Sequence, residues 1–176
     1  STVENRVNGK VIPATHTTPD AIQVSSLMSD MVKAGCTHCF MEVSSHAIAQ
    51  NRVAGLTFSG GIFTNLTHDH LDYHKTFQDY LLAKKRFFDD LPPGAFALIN
   101  IDDKNGRIMA QNTKARIRTY ALKSSADFKC KILDNLLEGL QLSINNQETF
   151  CRLTGEFNAY NLTAIYGAAK LLDQNP

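Results

Sequence analysis

The 176-residue chain has no tryptophan, only five prolines and almost no charge of one sign in excess: 18 Lys and Arg stand against 17 Asp and Glu, a net charge of +1. Near-neutrality removes the global field that would draw a protein to nucleic acid or to an anionic membrane. No apolar run approaches the roughly 20 residues that a membrane-spanning helix needs. The opening STVENRVNGK is polar and has no apolar signal-peptide core. It also lacks an initiator methionine, so a processed chain or a piece of a longer one is expected. A phosphate-binding P-loop, G-x-x-x-x-G-K-[ST], is missing as well. The only Gly-Lys pair is Gly9-Lys10, followed by Val11 and preceded by Glu4 where the first glycine should be. Cysteine is sparse: Cys36, Cys39, Cys130 and Cys151. The first two form a C-x-x-C, the spacing of half a zinc site or of a redox pair. A structural zinc site usually draws on a second close pair, and there is none. Cys39 lies in the run HCFMEV, which reads as a buried strand where cysteine acts as a small hydrophobe; reduced thiols are expected.

What is present suits a core: 43% of residues are apolar and 20% charged, enough for one globular domain. The stretch TTPDAIQVSSLMSDMVKAG carries Thr and Pro at its start and Gly at its end, with Ile22, Leu27, Met31 and Val32 as an imperfect helical stripe. THCFMEV then reads as a short strand, SSHAIAQNRVAGL as a polar turn with one helical turn, and SGGIFTN as a second buried strand. In TFQDYLLAKKRFFDDL the residues Phe77, Tyr80, Leu81, Lys84, Phe87 and Phe88 recur at three and four, the spacing of a helix. PPG breaks the chain, AFALIN is a third strand, IDDKNGRIMAQNTK reads as a helix with an acidic start, and ARIRTYAL as another strand. Strands alternating with helices predict an α/β fold, a mostly parallel sheet with helices on its faces. From Asp127 to Leu153 the pattern changes to short alternating strands with turn signals at DN, EG and NN, which predicts appended antiparallel hairpins. FNAYNLTAIYGAAKLLDQ closes the chain as a helix, with Leu162, Ile165, Ala169 and Leu172 assigned to one face.

In an open α/β sheet, ligands bind beyond the carboxyl ends of the strands. Two polar clusters fall there. EVSSH, Glu42 to His46, follows the first expected strand, and TNLTHDHLDYH, Thr64 to His74, follows the second. If those strands are neighbours, Glu42 and His70 share a site, and carboxylate with imidazole suits Mg²⁺ or Mn²⁺ beside a phosphate. The same histidines also fit a solvated, hydrogen-bonded turn, and spacing alone does not single out Lys84 from surface lysines.

MEVSSH, FTNLTHDHLDYH, YLLAKK, LINIDD and LTGEFNAYNLTAI, in that order, form a series that covers essentially the whole chain. It closely resembles the central, ATP-binding domain of the Mur ligases, the ATP-dependent amide-bond ligases of peptidoglycan synthesis. GKVIPATHTTPDA with SSHAIAQNRVAGL is most similar to the branch that adds the third residue, meso-diaminopimelate or L-lysine, to UDP-MurNAc-L-Ala-D-Glu. The resemblance implies a P-loop-NTPase-like sheet without the P-loop segment, so residues 1–176 are expected to be part of one central domain. The UDP-binding domain and P-loop would precede it and a C-terminal domain would follow. On that basis this chain alone is expected to be inactive and, with an open sheet edge, to self-associate. The full-length enzyme is expected to be a monomer in the bacterial cytoplasm.

The resemblance also implies roles. Lys84 matches a lysine carbamylated by CO₂, a change that turns a cation into an oxygen ligand and requires a neutral amine. With His70 it would hold one Mg²⁺, while Glu42 serves another nearer the ATP phosphates. Lys85 should point about 100° away around the helix. Thr17, Thr18, Ser44, Gln50 and Arg52 match contacts to the UDP-MurNAc-peptide; His16 departs from the family's usual Asn, and its contact is not carried over. Asn158 and Asn161 match the segment lining the adenine and ribose pocket, although Asn158 equally suits a helix N-cap. The implied reaction passes through an acyl phosphate, which the amine of the incoming amino acid then displaces. Other readings are a folylpolyglutamate- or cyanophycin-synthetase-type ligase of the same fold, and a binding module without turnover.

Overall fold

A computed structural model describes residues 2–67 and 71–175. The chain divides into two compact units, Ser1–Leu56 with His70–Arg86, and Thr57–Asp69 with Phe87–Pro176.

The first unit opens with an antiparallel hairpin, β1 (Glu4–Val7) and β2 (Lys10–Pro13). Its two-residue turn is Asn8-Gly9, both at positive φ (45° and 86°), the conformation that matches the right-handed strand twist and favours Asn-Gly. Helix α1 (Ala21–Lys33) starts where Asp20 accepts from the amides of Ile22 and Gln23, each at 2.9 Å, and Gly35 follows its end at φ 74°. The expected helix is there, but its inner stripe is Val24, Leu27, Met28 and Met31, at i, i+3, i+4 and i+7. Ile22 and Val32 are exposed instead, because their positions fall on the opposite face. Helices α2 (Ser45–Ala49), α3 (Leu71–His74) and α4 (Phe77–Asp89) follow, the last where the periodicity places it.

One expected element is missing. Residues 37–43 pair with no strand among the described residues, Phe40 is 72% exposed, and Cys39 is exposed rather than buried. An apolar run becomes a strand only when a neighbour takes up its N–H and C=O groups. The hairpin strands β1 and β2 are paired only with each other. Glu42 therefore does not stand at the end of a paired strand.

The second unit is a six-stranded sheet, β3 (Gly60–Phe63), β4 (Phe96–Asn100), β5 (Arg116–Ala121), β6 (Phe128–Leu136), β7 (Gly139–Ile144) and β8 (Gln147–Cys151), ordered as numbered. The pairs from β3 to β6 are parallel, and β6-β7-β8 is an antiparallel meander, so the predicted α/β class with an antiparallel appendage holds. EG and NN do mark the turns. DN (Asp134-Asn135) instead lies inside β6, beside a register shift between Ile132 and Asp134, because turn-favouring residues also serve a bulge. The expected helix over residues 101–114 shrinks to one turn, α5 (Gly106–Met109). Its first residue must be glycine, since a Cβ there would overlap the Asn100 carbonyl oxygen.

Helix α6 (Glu156–Leu171) lies across the sheet through small residues: Ala159, Thr163, Ala164, Gly167 and Ala168 are buried, while Ile165 is 64% exposed. The face predicted from large apolar residues is thus rotated. Close helix-to-sheet approach selects the small side, where Ala164 and Ala168 meet Phe96, Leu98 and Tyr120.

The β5-to-β6 connection is unusual. Parallel neighbours ordinarily need a crossover of a dozen or more residues. Here residues 122–127 suffice, because pairing is limited to Tyr120↔Phe128 and Ala121↔Lys129.

Candidate functional site

In the first unit the expected substrate residues form a hydrogen-bonded network. Thr18 is 1% exposed; its hydroxyl donates to the Glu42 carbonyl at 2.8 Å and accepts from the Ser44 amide at 3.1 Å. That one side chain fixes the backbone on both sides of Val43. Ser44 then caps α2, its Oγ accepting from the Ala47 amide at 3.2 Å. Arg52 donates from Nη1 to the Thr18 carbonyl at 2.8 Å, and from Nε and Nη2 to Gln50 Oε1 at 2.8 and 2.6 Å. The Gln50 amide in turn donates to the Tyr73 hydroxyl at 3.3 Å. Thr18, Ser44, Gln50 and Arg52 are therefore brought together. Thr17 is half-buried, its hydroxyl 3.2 Å from that of Thr2, and it lines a cavity of about 320 Å³ with Glu4, Arg6, Leu27, Met28 and Met31.

Glu42 is exposed, and its Oε2 accepts from the Thr2 amide at 2.7 Å and hydroxyl at 3.0 Å. Lys84 is half-buried on α4, its Nζ 5.4 Å from the centre of the Tyr80 ring. Its neighbour Lys85 is the more buried of the two, at 6% exposure, because it continues the inward stripe of Leu81 one turn earlier. Burial thus does not by itself mark Lys84 out. His70 lies outside the described residues. Among the described residues, no group of three or more His, Cys, Asp or Glu side chains could hold a metal ion.

Two features of this unit escaped the sequence reading. His74 is buried, with Nε2 2.8 Å from Ser45 Oγ, which ties α3 to the first residue of α2. Tyr73 lies against His46, ring centres 4.0 Å apart. SSH and DYH contain these residues, but partners 29 and 27 positions apart leave no local signal.

In the second unit, Asn158 and Asn161 sit on one face of α6, the Asn161 amide donating to Asn158 Oδ1 at 3.4 Å. Gly155 holds the N-cap position, so Asn158 is not the cap; its side-chain amide donates to the Thr154 carbonyl at 2.8 Å. The sequence reading gave Asp102 only a place in LINIDD and in an acidic helix start, yet its carboxylate accepts four hydrogen bonds. Oδ2 accepts from the amides of Leu122 and Lys123, both at 2.7 Å, and from the Tyr160 hydroxyl at 2.9 Å; Oδ1 accepts from the Ser124 amide at 2.8 Å. Partial burial pushes its pKa upward, but hydrogen bonds from Ser124, Lys123 and Leu122 overcome this and hold the carboxyl well below the usual carboxylate range. Tyr160 is pushed up, by burial and by its bond to Asp102.

A mostly parallel sheet with an antiparallel extension and a closing helix across it define an α/β domain. The Mur ligase middle domain model matches residues 1–169, and the chain belongs to that family. The UDP-N-acetylmuramoyl-L-alanyl-D-glutamate--2,6-diaminopimelate ligase of Cytophaga hutchinsonii is 59% identical over 175 residues, 99% of this chain and 36% of the relative. The protein of the same name from Parabacteroides distasonis is 59% identical over 176 residues, 100% of this chain and again 36% of the relative. A solved structure of a ligase of that name superposes with a TM-score of 0.81 at 33% identity, covering 94% of this chain and 36% of that one. The chain thus spans about a third of the length of the curated relatives it matches.

Proposed function

We propose that this chain is the central domain of an ATP-dependent amide-bond ligase that joins meso-diaminopimelate to UDP-MurNAc-L-Ala-D-Glu in the bacterial cytoplasm. The observation that carries the reading is 59% identity, along essentially the whole chain, to relatives named for that reaction. In this reading the UDP-binding domain, the P-loop and a C-terminal domain belong to the rest of the protein, and this domain alone turns nothing over.

The network around Thr18 supports a substrate-binding role for its neighbours. Arg52 brings a planar guanidinium, and Gln50 and Ser44 bring neutral polar groups, a set suited to an anionic peptide. Thr17 and Thr18 border the same segment, Thr18 shaping it from beneath. Asn158 and Asn161 offer amide donors and acceptors to the base and ribose of ATP.

Mg²⁺ fits the donor chemistry in part. Among the described residues Glu42 Oε1 accepts no hydrogen bond, and a carboxylate oxygen is a hard donor of the kind Mg²⁺ takes. Lys84 fits only as its carbamate, since an ammonium has no lone pair to give. His70 and carbamylated Lys84 are the residues that would hold one ion, and Glu42 would serve a second. When bound, the ion neutralises charge on the phosphates.

The reaction would proceed in two steps. A substrate carboxylate oxygen attacks the γ-phosphorus of ATP, the bond to the bridging oxygen breaks, and ADP leaves behind an acyl phosphate. The diaminopimelate amine then attacks the acyl carbon, phosphate departs, and the amine loses a proton as the amide forms. Full-length protein tests the reading: sustained ADP release over many turnovers is expected only when ATP, UDP-MurNAc-L-Ala-D-Glu and diaminopimelate are all present. ADP release indifferent to the two acceptor substrates would overturn it.

A further inference from the structure

We infer that Asp102 is a positioning residue, which through Tyr160 and the 122–124 loop sets how α6 presents Asn158 and Asn161. The inference rests on the reading that these two asparagines meet the nucleotide.

Three successive amides, from Leu122, Lys123 and Ser124, converge on the Asp102 carboxylate. Such a concave run of N–H groups is an anion-binding nest, and here the chain's own carboxylate fills it. From the other side the Lys129 ammonium donates to the carbonyls of Leu122 and Ser124, at 2.8 and 2.7 Å. The loop is therefore held by a negative charge on its donors and a positive charge on its acceptors. This double hold suits the short parallel connection it makes.

Two links run from that loop and its carboxylate to the start of α6. Lys123 Nζ lies 2.9 Å from Glu156 Oε1, on the first residue of the helix. The Tyr160 hydroxyl reaches Asp102 Oδ2 at 2.9 Å, while the Tyr160 ring packs against the buried cluster of Phe96, Leu98 and Tyr120. At about 100° per residue, Tyr160 points roughly 160° from Asn158 and 100° from Asn161. A helix bonded through Tyr160 on its inner side has its rotation fixed, and the asparagine face is thereby aimed. Lys123–Glu156 is exposed and screened, so the larger share falls to Asp102–Tyr160.

The test uses full-length protein with Tyr160→Phe, Asp102→Asn and Asn161→Ala. Three quantities are read: the Kd of a fluorescent ATP analogue, the KM for each of the three substrates, and the melting temperature. Tyr160→Phe keeps the packed ring and removes only the hydroxyl. It is expected to weaken nucleotide binding about tenfold, the effect of leaving roughly a tenth of the helices in the binding-competent rotation, with the KM for the UDP-peptide unchanged. Asp102→Asn should match or exceed it. A Tyr160→Phe protein with wild-type nucleotide affinity, alongside an Asn161→Ala protein with weakened affinity, overturns the positioning role and leaves the nucleotide reading intact. An Asn161→Ala protein with wild-type affinity overturns the nucleotide reading and this inference with it. A uniform loss across all three substrates would show a merely structural role.

Discussion

The Thr18 hydroxyl donates to the carbonyl of Glu42 at 2.8 Å from a side chain that is only 1% exposed. With the Ser44 amide as donor at 3.1 Å, one buried oxygen joins the carboxylate-bearing segment to the cap of α2. Thr18→Val keeps the volume and strands both backbone partners. The expected cost is roughly 1–3 kcal/mol, the penalty for unsatisfied buried groups. Urea unfolding should show it, while Thr18→Ser stays close to wild type. Equal stability of the valine and serine variants would contradict this role.

Arg52 uses three nitrogens on two acceptors, the Thr18 carbonyl and Gln50 Oε1. A lysine keeps the charge but has no planar fork. Arg52→Lys should raise the KM for the UDP-peptide about tenfold or more and leave the KM for ATP near wild type. Steady-state kinetics on the full-length enzyme separates the two.

Much of the architecture was legible. Helices α1 and α4, strands β3 to β5 and the hairpins were readable because period and breakers agree there. Two failures share a cause, dependence on a tertiary partner. HCFMEV has strand composition but pairs with no strand among the described residues. In α6, Leu162, Ile165, Ala169 and Leu172 were assigned to one face, yet close packing on the sheet buried Ala159, Ala164, Gly167 and Ala168 and left Ile165 exposed. The Asn8-Gly9 hairpin was the opposite case, a strong local signal left unused. Within the site, Thr18, Ser44, Gln50 and Arg52 were named from resemblance alone. Asp102 was missed because its partners come from residues 122–124 and 160.

The depressed Asp102 carboxyl has a pH signature. A carboxylate with a lowered folded pKa contributes stability that is present above its unfolded value, about 4, and is lost as pH falls through the folded one. The stability gap between wild type and Asp102→Asn should therefore be constant from neutral pH to about 5 and narrow below about 4. Urea midpoints across that range check it; a gap that does not change with pH would contradict the account.

Lys84 and Lys85 are adjacent, and Lys85 is the more buried, so the proposed carbamate must be assigned by experiment. In ¹³C-bicarbonate, full-length protein should show a carbamate resonance that Lys84→Arg removes and Lys85→Arg retains. Lys84→Arg should also lower kcat by about a hundredfold or more if the carbamate oxygens act at the reacting phosphate. Loss of the signal in Lys85→Arg instead would transfer the role to that residue.

The most direct measurement is mass spectrometry of the product. Full-length protein is given ATP, Mg²⁺, UDP-MurNAc-L-Ala-D-Glu, and equal concentrations of meso-diaminopimelate and L-lysine. The account predicts a UDP-MurNAc-tripeptide carrying diaminopimelate, formed one for one with ADP. A lysine-bearing product would contradict the assigned amino acid, and no nucleotide-linked peptide at all would contradict the ligase itself.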